Sequence, residues 1–417
     1  MQIYHKDAFN YAESVINAII EKINGIDKSR RKFMLHLFLL FMGLRGRYNF
    51  LNMGRYGSYS EQTYRNNFSE HFDFLRFNKE LINQHCSKHI VIAFDPSYIP
   101  KSGKHTEHLG WFWSGTSGKA LKGLEIGVLG AVDVENNTAM SLEAIQTPSA
   151  TELKEEGMSL VDHYAKMIIE RKQTLQALSG YLAVDAYFSK ERFILPILEH
   201  TSLHIIGKLR TDANLWYPYE GERTGKKGRP RSYSDKVDWN TIDKQRITPC
   251  YQDPETRMYE GIVYSKMLER KIKIVYIERW KDNKYSGEHV ILFTTDVELE
   301  GYLIFLYYKG RYQIEFLFRD AKQHCGLTHC QARDEHKLDF HFNAALSTVS
   351  IAKAAYYLSL PIDERESFSM SDIKTRYLNK HLADRIFANL DLDLNQHKIQ
   401  SVYQESLFYG SIRSRAA

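Results

Sequence analysis

Apolar residues recur at Phe9, Ala12, Val15, Ile16, Ile19, Ile20 and Ile23. This spacing of three and four predicts a helix with one buried face, and Gly25 is placed to end it. A basic cluster, Lys28 to Lys32, precedes a twelve-residue apolar run, Phe33–Leu44, interrupted by His36. Two short helices are expected next, separated by Gly54-Arg55-Tyr56-Gly57, with Ser58 or Ser60 as the N-cap of the second. From residue 89 the texture changes. His89–Asp95 is a β-rich apolar run ending on an acid, and Leu124–Asp133 and Ala139–Gln146 predict two further strands around a turn at Glu135–Thr138. A long helix over about Thr151–Leu178 follows. Then come a strand ending on Asp185, a helix near Lys190–Glu199 and a strand at Leu203–Leu209.

Residues 211–300 break this rhythm with a basic loop and β-like runs at Ile272–Glu278 and His289–Thr295, before helical patterning resumes near Leu303. The expected architecture is α/β, a mixed sheet flanked by helices. The division read from the pattern is a helical region at 1–88, the first part of a core at 89–210, a β-rich insertion at 211–300, a returning core helix at 301–345 and a helical C-terminal region at 346–417. The apolar run at 33–44 is too short to span a bilayer. Residues 1–13 show no secretory signal, and four cysteines in 417 residues do not make a disulfide scaffold, so a reducing cytoplasm is the expected location and no membrane partner is expected.

Charge adds direction. The chain carries 56 Lys/Arg against 51 Asp/Glu, and residues 1–90 hold 13 against 8, the whole surplus of five. A polyanion partner is therefore expected at that end. Within it, residues 60–68 offer Gln62, Thr63, Tyr64, Arg65, Asn66 and Asn67, a mix suited to the groove-facing positions of a helix-turn-helix. Arg55 and Arg65 are the first candidates for DNA contact.

Tyr308, Arg311, Glu315 and Lys322 project onto one 60° arc of a helix at about 100° per residue, beside an apolar stripe of Ile314, Leu317, Phe318 and Ala321. The same projection turns Asp320 away from that core edge. Asp95 and Asp185 end strands expected to be neighbours, and Glu315 lies on a helix able to pack against them. Three carboxylates are natural ligands for Mg²⁺, and two such ions about 3.5–4 Å apart can activate water and stabilise a leaving oxygen in phosphodiester cleavage.

These residues resemble a family. Tyr308, Arg311, Glu315 and Lys322 meet the pattern Tyr-x2-Arg-x3-Glu-x6-Lys without a gap, and Phe94-Asp95 and Val184-Asp185 precede them. The chain thus resembles the DDE transposases of bacterial insertion sequences, in the subgroup called insertion-sequence family four. The resemblance spans roughly residues 88–345. It implies an RNase H-like, mixed five-stranded sheet carrying a β-rich insertion. It implies Asp95, Asp185 and Glu315 as the metal-binding catalytic triad, with two Mg²⁺ ions for which Mn²⁺ can substitute. Arg311 and Lys322 would hold phosphates of the transposon end, and Tyr308 would support or contact the same DNA. The implied partners are double-stranded DNA, both terminal inverted repeats and target, with a homodimer in the DNA complex and a place at the bacterial nucleoid. Where some relatives have Asp-Thr-Thr, this chain has Asp95-Pro96-Ser97. Where some place a stacking aromatic in the insertion, the equivalent strand offers Phe293 but no Trp.

Other signals carry less. Lys226 to Arg231 contains Gly-Arg-Pro, as in minor-groove hooks, so Lys227, Arg229 and Arg231 are candidate DNA contacts. His324, Cys325, His329 and Cys330 lack a convincing zinc spacing, and Gly110–Ala120 has no P-loop pattern. Phe342, Leu346, Val349 and Ile351 are candidates for the dimer interface or for the core. The expected function is end binding, metal-dependent strand cleavage and strand transfer. The alternatives are an inactive transposase-derived DNA-binding protein and a nuclease without strand transfer.

Overall fold

The computed structural model describes residues 8–221, 231–239, 241–282, 284–390, 392–393 and 395–412. The N-terminal helices are α1 (Ala8–Ile20), α2 (Lys28–Gly43), α3 (Phe50–Tyr56), α4 (Glu61–Ser69) and α5 (Phe74–His85). Four strands follow, β1 (Ile90–Pro100), β2 (Gly110–Ser114), β3 (Lys119–Asp133) and β4 (Thr138–Gln146). Next come α6 (Ala150–Glu155), α7 (Leu160–Glu170), α8 (Lys172–Leu178), β5 (Tyr181–Val184), α9 (Glu191–His200) and β6 (His204–Leu209). The following strands are β7 (Leu215–Pro218), β8 (Tyr233–Lys236), β9 (Thr248–Gln252), β10 (Thr256–Ser265), β11 (Arg270–Lys281) and β12 (Lys284–Thr294). The chain closes with α10 (Gly301–Gly310), α11 (Gln313–His324), α12 (Glu335–Lys353), α13 (Met370–Asn389) and α14 (His397–Phe408).

Among the described residues, all twelve strands join one mixed sheet, ordered β2-β3-β1-β5-β6-β12-β11-β10-β7-β8, with β4 on β3 and β9 on β10. β3 runs antiparallel to β1, whereas β5 and β6 run parallel to it. β4, β3, β1, β5 and β6 are consecutive neighbours on one side of this sheet, which is larger than the five strands expected. The strands of residues 211–300 extend the same sheet, because β12 pairs with β6 from Ile291 opposite Leu209 to Thr294 opposite Ile206.

Several elements depart from the sequence pattern for identifiable reasons. The long helix expected over 151–178 is three helices. Gly157 takes φ +69°, and Ser159 restarts the chain through a capping box with Asp162. β1 does not stop at Asp95 but runs on to Pro100, so Asp95 sits mid-strand. β2 was not anticipated from its five residues.

The N-terminal helices share a continuous apolar core with the rest of the chain. Phe68 and Phe74 pack on Phe340 of α12, and Asn78 Nδ2 donates to the Leu142 carbonyl and Ser347. α12 is thus a central helix. Phe342, Leu346, Val349 and Ile351 are all buried within it, so they form core and cannot supply a dimer interface. Arg30 is buried between α2 and α4, where it donates to the Asn67 carbonyl and side chain and to the Glu70 carbonyl at 2.8–2.9 Å. Removing it takes a charged donor from each of them and leaves the Asn67 carbonyl only the Glu70 N–H at 3.3 Å. Arg30→Ala is expected to cost about 3 kcal/mol, read as a lower midpoint in urea unfolding.

The expected helix-turn-helix surface needs correction. Gly54, Arg55 and Tyr56 lie inside α3, and α4 starts after Ser60, whose side chain caps it. Tyr64 is fully buried and shares a 2.6 Å hydrogen bond with His36, while Asn67 accepts from Arg30. These two residues face inward. Arg55 and Arg65 remain exposed, Arg65 paired with Glu61 and lying over the Phe50 ring. Among the described residues, no helix is long and apolar enough to cross a membrane.

Candidate active site

The expected continuous helix carrying Tyr308 to Lys322 is broken. α10 ends at Gly310, and the chain passes through Arg311 and Tyr312 in a tightened turn. Within it Tyr312 N–H bonds to Lys309 O, Ile314 N–H to Arg311 O and Glu315 N–H to Tyr312 O, at 3.0–3.2 Å. Each bond spans three residues rather than four. Gly310 suits this corner, since a Cβ there would approach Val132 of β3 to 3.1 Å. Arg311 packs against the sheet, with its side chain only 10% exposed.

The three acids converge on that guanidinium. Arg311 Nη1 lies 3.8 Å from Asp95 Oδ1, and Nη2 lies 4.0 Å from Asp185 Oδ1 and 3.8 Å from Glu315 Oε1. β1 and β5 are parallel neighbours in register from Ile92 opposite Leu182 to Phe94 opposite Val184, which carries Asp95 and Asp185 out side by side. α11 lies across the sheet face that holds Asp95. Lys322 Nζ donates to Ser97 Oγ at 2.8 Å and to the Tyr98 carbonyl at 3.2 Å. The Arg311 guanidinium also sits 5.7 Å from the Tyr308 ring centre. Thus residues 95, 185, 308, 311, 315 and 322 belong to one site.

The electrostatics are unbalanced, since one guanidinium faces three carboxylates. Burial, followed by Glu315, Asp185 and Glu125, pushes the Asp95 carboxyl up to about 7 against the pull of Arg311. Burial also raises Glu315, again opposed by Arg311. Burial lowers Lys322, which Asp95 partly offsets. Native Asp95 holds its proton more tightly than the unfolded chain does, so its contribution favours folding at acid pH. That contribution is lost as pH rises from about 4 through 7, by on the order of 4 kcal/mol. Without metal, Asp95→Asn should flatten this dependence, checked by denaturation midpoints at pH 5 and pH 8.

Asp320 corrects another expectation. It does lie away from Glu315, but it is buried and paired with Arg319 at 3.1 Å. α11 packs on both the sheet and α12, so a single-face projection misplaces it. Glu125 was not anticipated: it is buried on β3 and hydrogen-bonded by the Tyr164 hydroxyl. Ser97, visible in the Asp95-Pro96-Ser97 run, serves as the anchor of Lys322. Lys227 and Arg229 lie outside the described residues. Arg231 is exposed, donates to the Tyr233 carbonyl and lies over the Tyr219 ring. Cys325 and Cys330 are buried, and burial raises both thiols, to about 12 and about 11.

Among the described residues, no three His, Cys, Asp or Glu side chains form a ready-made metal cage. At the three acids the shared neighbour is Arg311, which approaches each of them within 4.0 Å. The donor chemistry nonetheless fits a hard divalent cation: three carboxylates, with the proton affinity of Asp95 and Glu315 raised, and too little positive charge to neutralise them.

The comparisons with known proteins bear on this geometry. Residues 27–259, more than half of the chain, match the DDE superfamily endonuclease family. The chain belongs to the DDE superfamily endonucleases. The match includes Asp95 and Asp185 and ends before Glu315. No curated protein matches the sequence. Among solved structures, the chain is similar to the piggyBac transposase in a cryo-EM structure of its synaptic complex with hairpin DNA. That likeness has 12% identity and a TM-score of 0.39, over 96% of this chain and 83% of the other. Nucleases of the DDE superfamily generally use divalent metal ions, which agrees with the donor set found here.

Proposed function

We propose that this endonuclease is a transposase of the bacterial insertion-sequence type, which cuts the ends of its element and joins them to target DNA. The observation that carries the reading is the convergence of Asp95, Asp185 and Glu315 on Arg311 from three distant segments. The strand order β4-β3-β1-β5-β6, with its antiparallel and parallel halves, supports an RNase H-like core. The Tyr308, Arg311, Glu315 and Lys322 spacing supports the insertion-sequence subgroup.

Asp95, Asp185 and Glu315 would hold divalent metal, Mg²⁺ by preference and two ions by the resemblance. Such ions supply Lewis acidity at the scissile phosphate and lower the pKa of a bound water. Asp95 must lose its proton to serve as a ligand, so metal affinity should fall as pH drops below about 7. Arg311, displaced from the acids, is long enough to turn toward a phosphate oxygen, and Lys322 waits on Ser97 for the same purpose. In the first step a water oxygen attacks phosphorus and the 3′-oxygen leaves with a proton. In the second, that 3′-hydroxyl attacks a target phosphodiester and displaces its 3′-oxygen. DNA contact by Arg55, Arg65 and Arg231, a helical DNA-binding region at the N-terminus and a homodimer on DNA complete the proposal.

Purified protein should be incubated with duplexes carrying the ends of its element, with Mg²⁺ or Mn²⁺. Metal-dependent nicks at the ends, followed by joined products, are expected. Nicks without joined products favour a nuclease that lacks strand transfer. End binding with no cleavage favours the inactive derivative.

A further inference from the structure

β2 and β3 form a hairpin beyond the active site, and it exposes two tryptophans. Trp111 and Trp113 are 71% and 63% exposed, while Phe112 between them is buried. The register fixes which way they face. Asp95 pairs with Val128 of β3, Trp111 pairs with Lys122, and Trp113 pairs with Ala120. Residues 120, 122 and 128 share one face of β3, and no register shift interrupts either pairing. The indoles therefore lie on the same sheet face as Asp95, six to eight residues along β3. At strand rise this is about 20–26 Å, with the two Cα atoms about 7 Å apart.

The hairpin is anchored at its base. Lys101 Nζ donates to the carbonyls of Cys330 and Ala332, and Glu107 N–H donates to the Arg333 carbonyl. His108 lies 3.2 Å from Glu152 and 3.3 Å from Glu335. Charge favours an anion here: residues 101–123 contain four lysines and one carboxylate, Glu107. Lys104, Lys119 and Lys122 are exposed, and none forms an ion pair with another described residue. Lys122 stands opposite Trp111, on the indole face.

Exposed indoles at strand spacing, with ammonium groups among them, have the chemistry of a platform for unpaired bases: rings to stack on and cations for the backbone. A duplex keeps its base faces covered and would meet only the lysines. We propose that the β2–β3 hairpin binds an unpaired stretch of DNA, with Trp111 and Trp113 stacking on bases and Lys104, Lys119 and Lys122 holding phosphates. The DNA class rests on the function proposed above, but the site is separate from the triad.

The test titrates the full chain with twelve-residue oligothymidylate and with a mixed-sequence duplex of equal length, followed by tryptophan fluorescence and by anisotropy of labelled DNA. The wild type should bind the single strand with quenching. Trp111→Ala/Trp113→Ala should lose the quench and at least tenfold in single-strand affinity, with duplex affinity changed less than twofold. Trp111→Phe/Trp113→Phe should retain most of the affinity, since the rings remain. The proposal is overturned if the wild type does not bind the single strand, or if the alanine variant binds it unchanged. Equal loss of single-strand and duplex binding overturns it too, as does dissociation of a wild-type dimer into monomers by the alanine variant, seen by light scattering. Metal-dependent duplex cleavage by the wild type is measured in parallel. Cleavage with an unaffected titration sinks the platform alone, and absent cleavage with the expected titration sinks the nuclease reading alone.

Discussion

Asp95→Asn, Asp185→Asn and Glu315→Gln are each expected to reduce metal-dependent DNA cleavage by at least about a thousandfold, roughly 4 kcal/mol of transition-state stabilisation. Each change nearly preserves volume and removes one anionic oxygen donor, so metal affinity falls while the fold persists. The side chains of Asp185 and Glu315 are 48% and 42% exposed and that of Asp95 is 22% exposed, so no tightly packed core depends on them. DNA binding should survive, because the proposed contacts of Arg55, Arg65 and Arg231 lie elsewhere. The assay is single-turnover nicking of an end-bearing duplex, with anisotropy as the binding control. A Glu315→Gln variant that nicks at the wild-type rate would remove the third acid from the account. Asp320→Asn is a poor neutral control, since Asp320 is buried beside Arg319 and the change would cost stability.

The second large effect concerns Arg311. Without metal it is the cation that all three acids approach within 4.0 Å, and its own side chain is buried. Arg311→Ala leaves the carboxylates facing one another, with Lys322 held away on Ser97. The metal-free variant should lose about 2–4 kcal/mol of stability at pH 8, a smaller loss at pH 5 where protonation relieves the repulsion, and less again in millimolar Mg²⁺ or Mn²⁺. Cleavage should still fall about a hundredfold at saturating metal, because a charged contact to the transition-state phosphate is gone. Thermal unfolding with and without metal separates the two roles. A midpoint equally low in both conditions would contradict the counter-ion role.

Much of the site was legible in the sequence because spacing along a chain survives folding. The Tyr308, Arg311, Glu315 and Lys322 pattern, with the acids after Phe94 and Val184, identified residues that the fold does bring together. What spacing did not show was the break between α10 and α11. A tightened turn at Arg311 and Tyr312 interrupts the four-residue hydrogen-bond ladder without changing the count of residues, so spacing alone cannot reveal it. Asp320 was misplaced for a related reason. A helical projection assumes one buried face, whereas α11 is covered on two. Tyr64 was read as groove-facing from its polar neighbours, yet its hydroxyl finds His36 in the interior. The strands β2, β7, β8 and β9 are four or five residues long. Hydrophobic alternation over so few positions is weak, and the cross-strand pairing that orders them is non-local. The extension of the sheet from β6 into β12 is likewise a property of pairing, invisible in either strand alone.

Asp95, Asp185 and Glu315 are proposed to form a single divalent-metal centre, although the family match reaches only the first two. Fe²⁺ in place of Mg²⁺, with peroxide, generates hydroxyl radicals at the bound ion and cuts the polypeptide nearby. Mass spectrometry of the fragments should locate cuts near residues 95, 185 and 315 in the wild type, protected by excess Mg²⁺ and lost together in Glu315→Gln. Cuts near 95 and 185 that persist undiminished in Glu315→Gln, or no cuts near 315 in the wild type, would contradict a metal centre shared by the three acids.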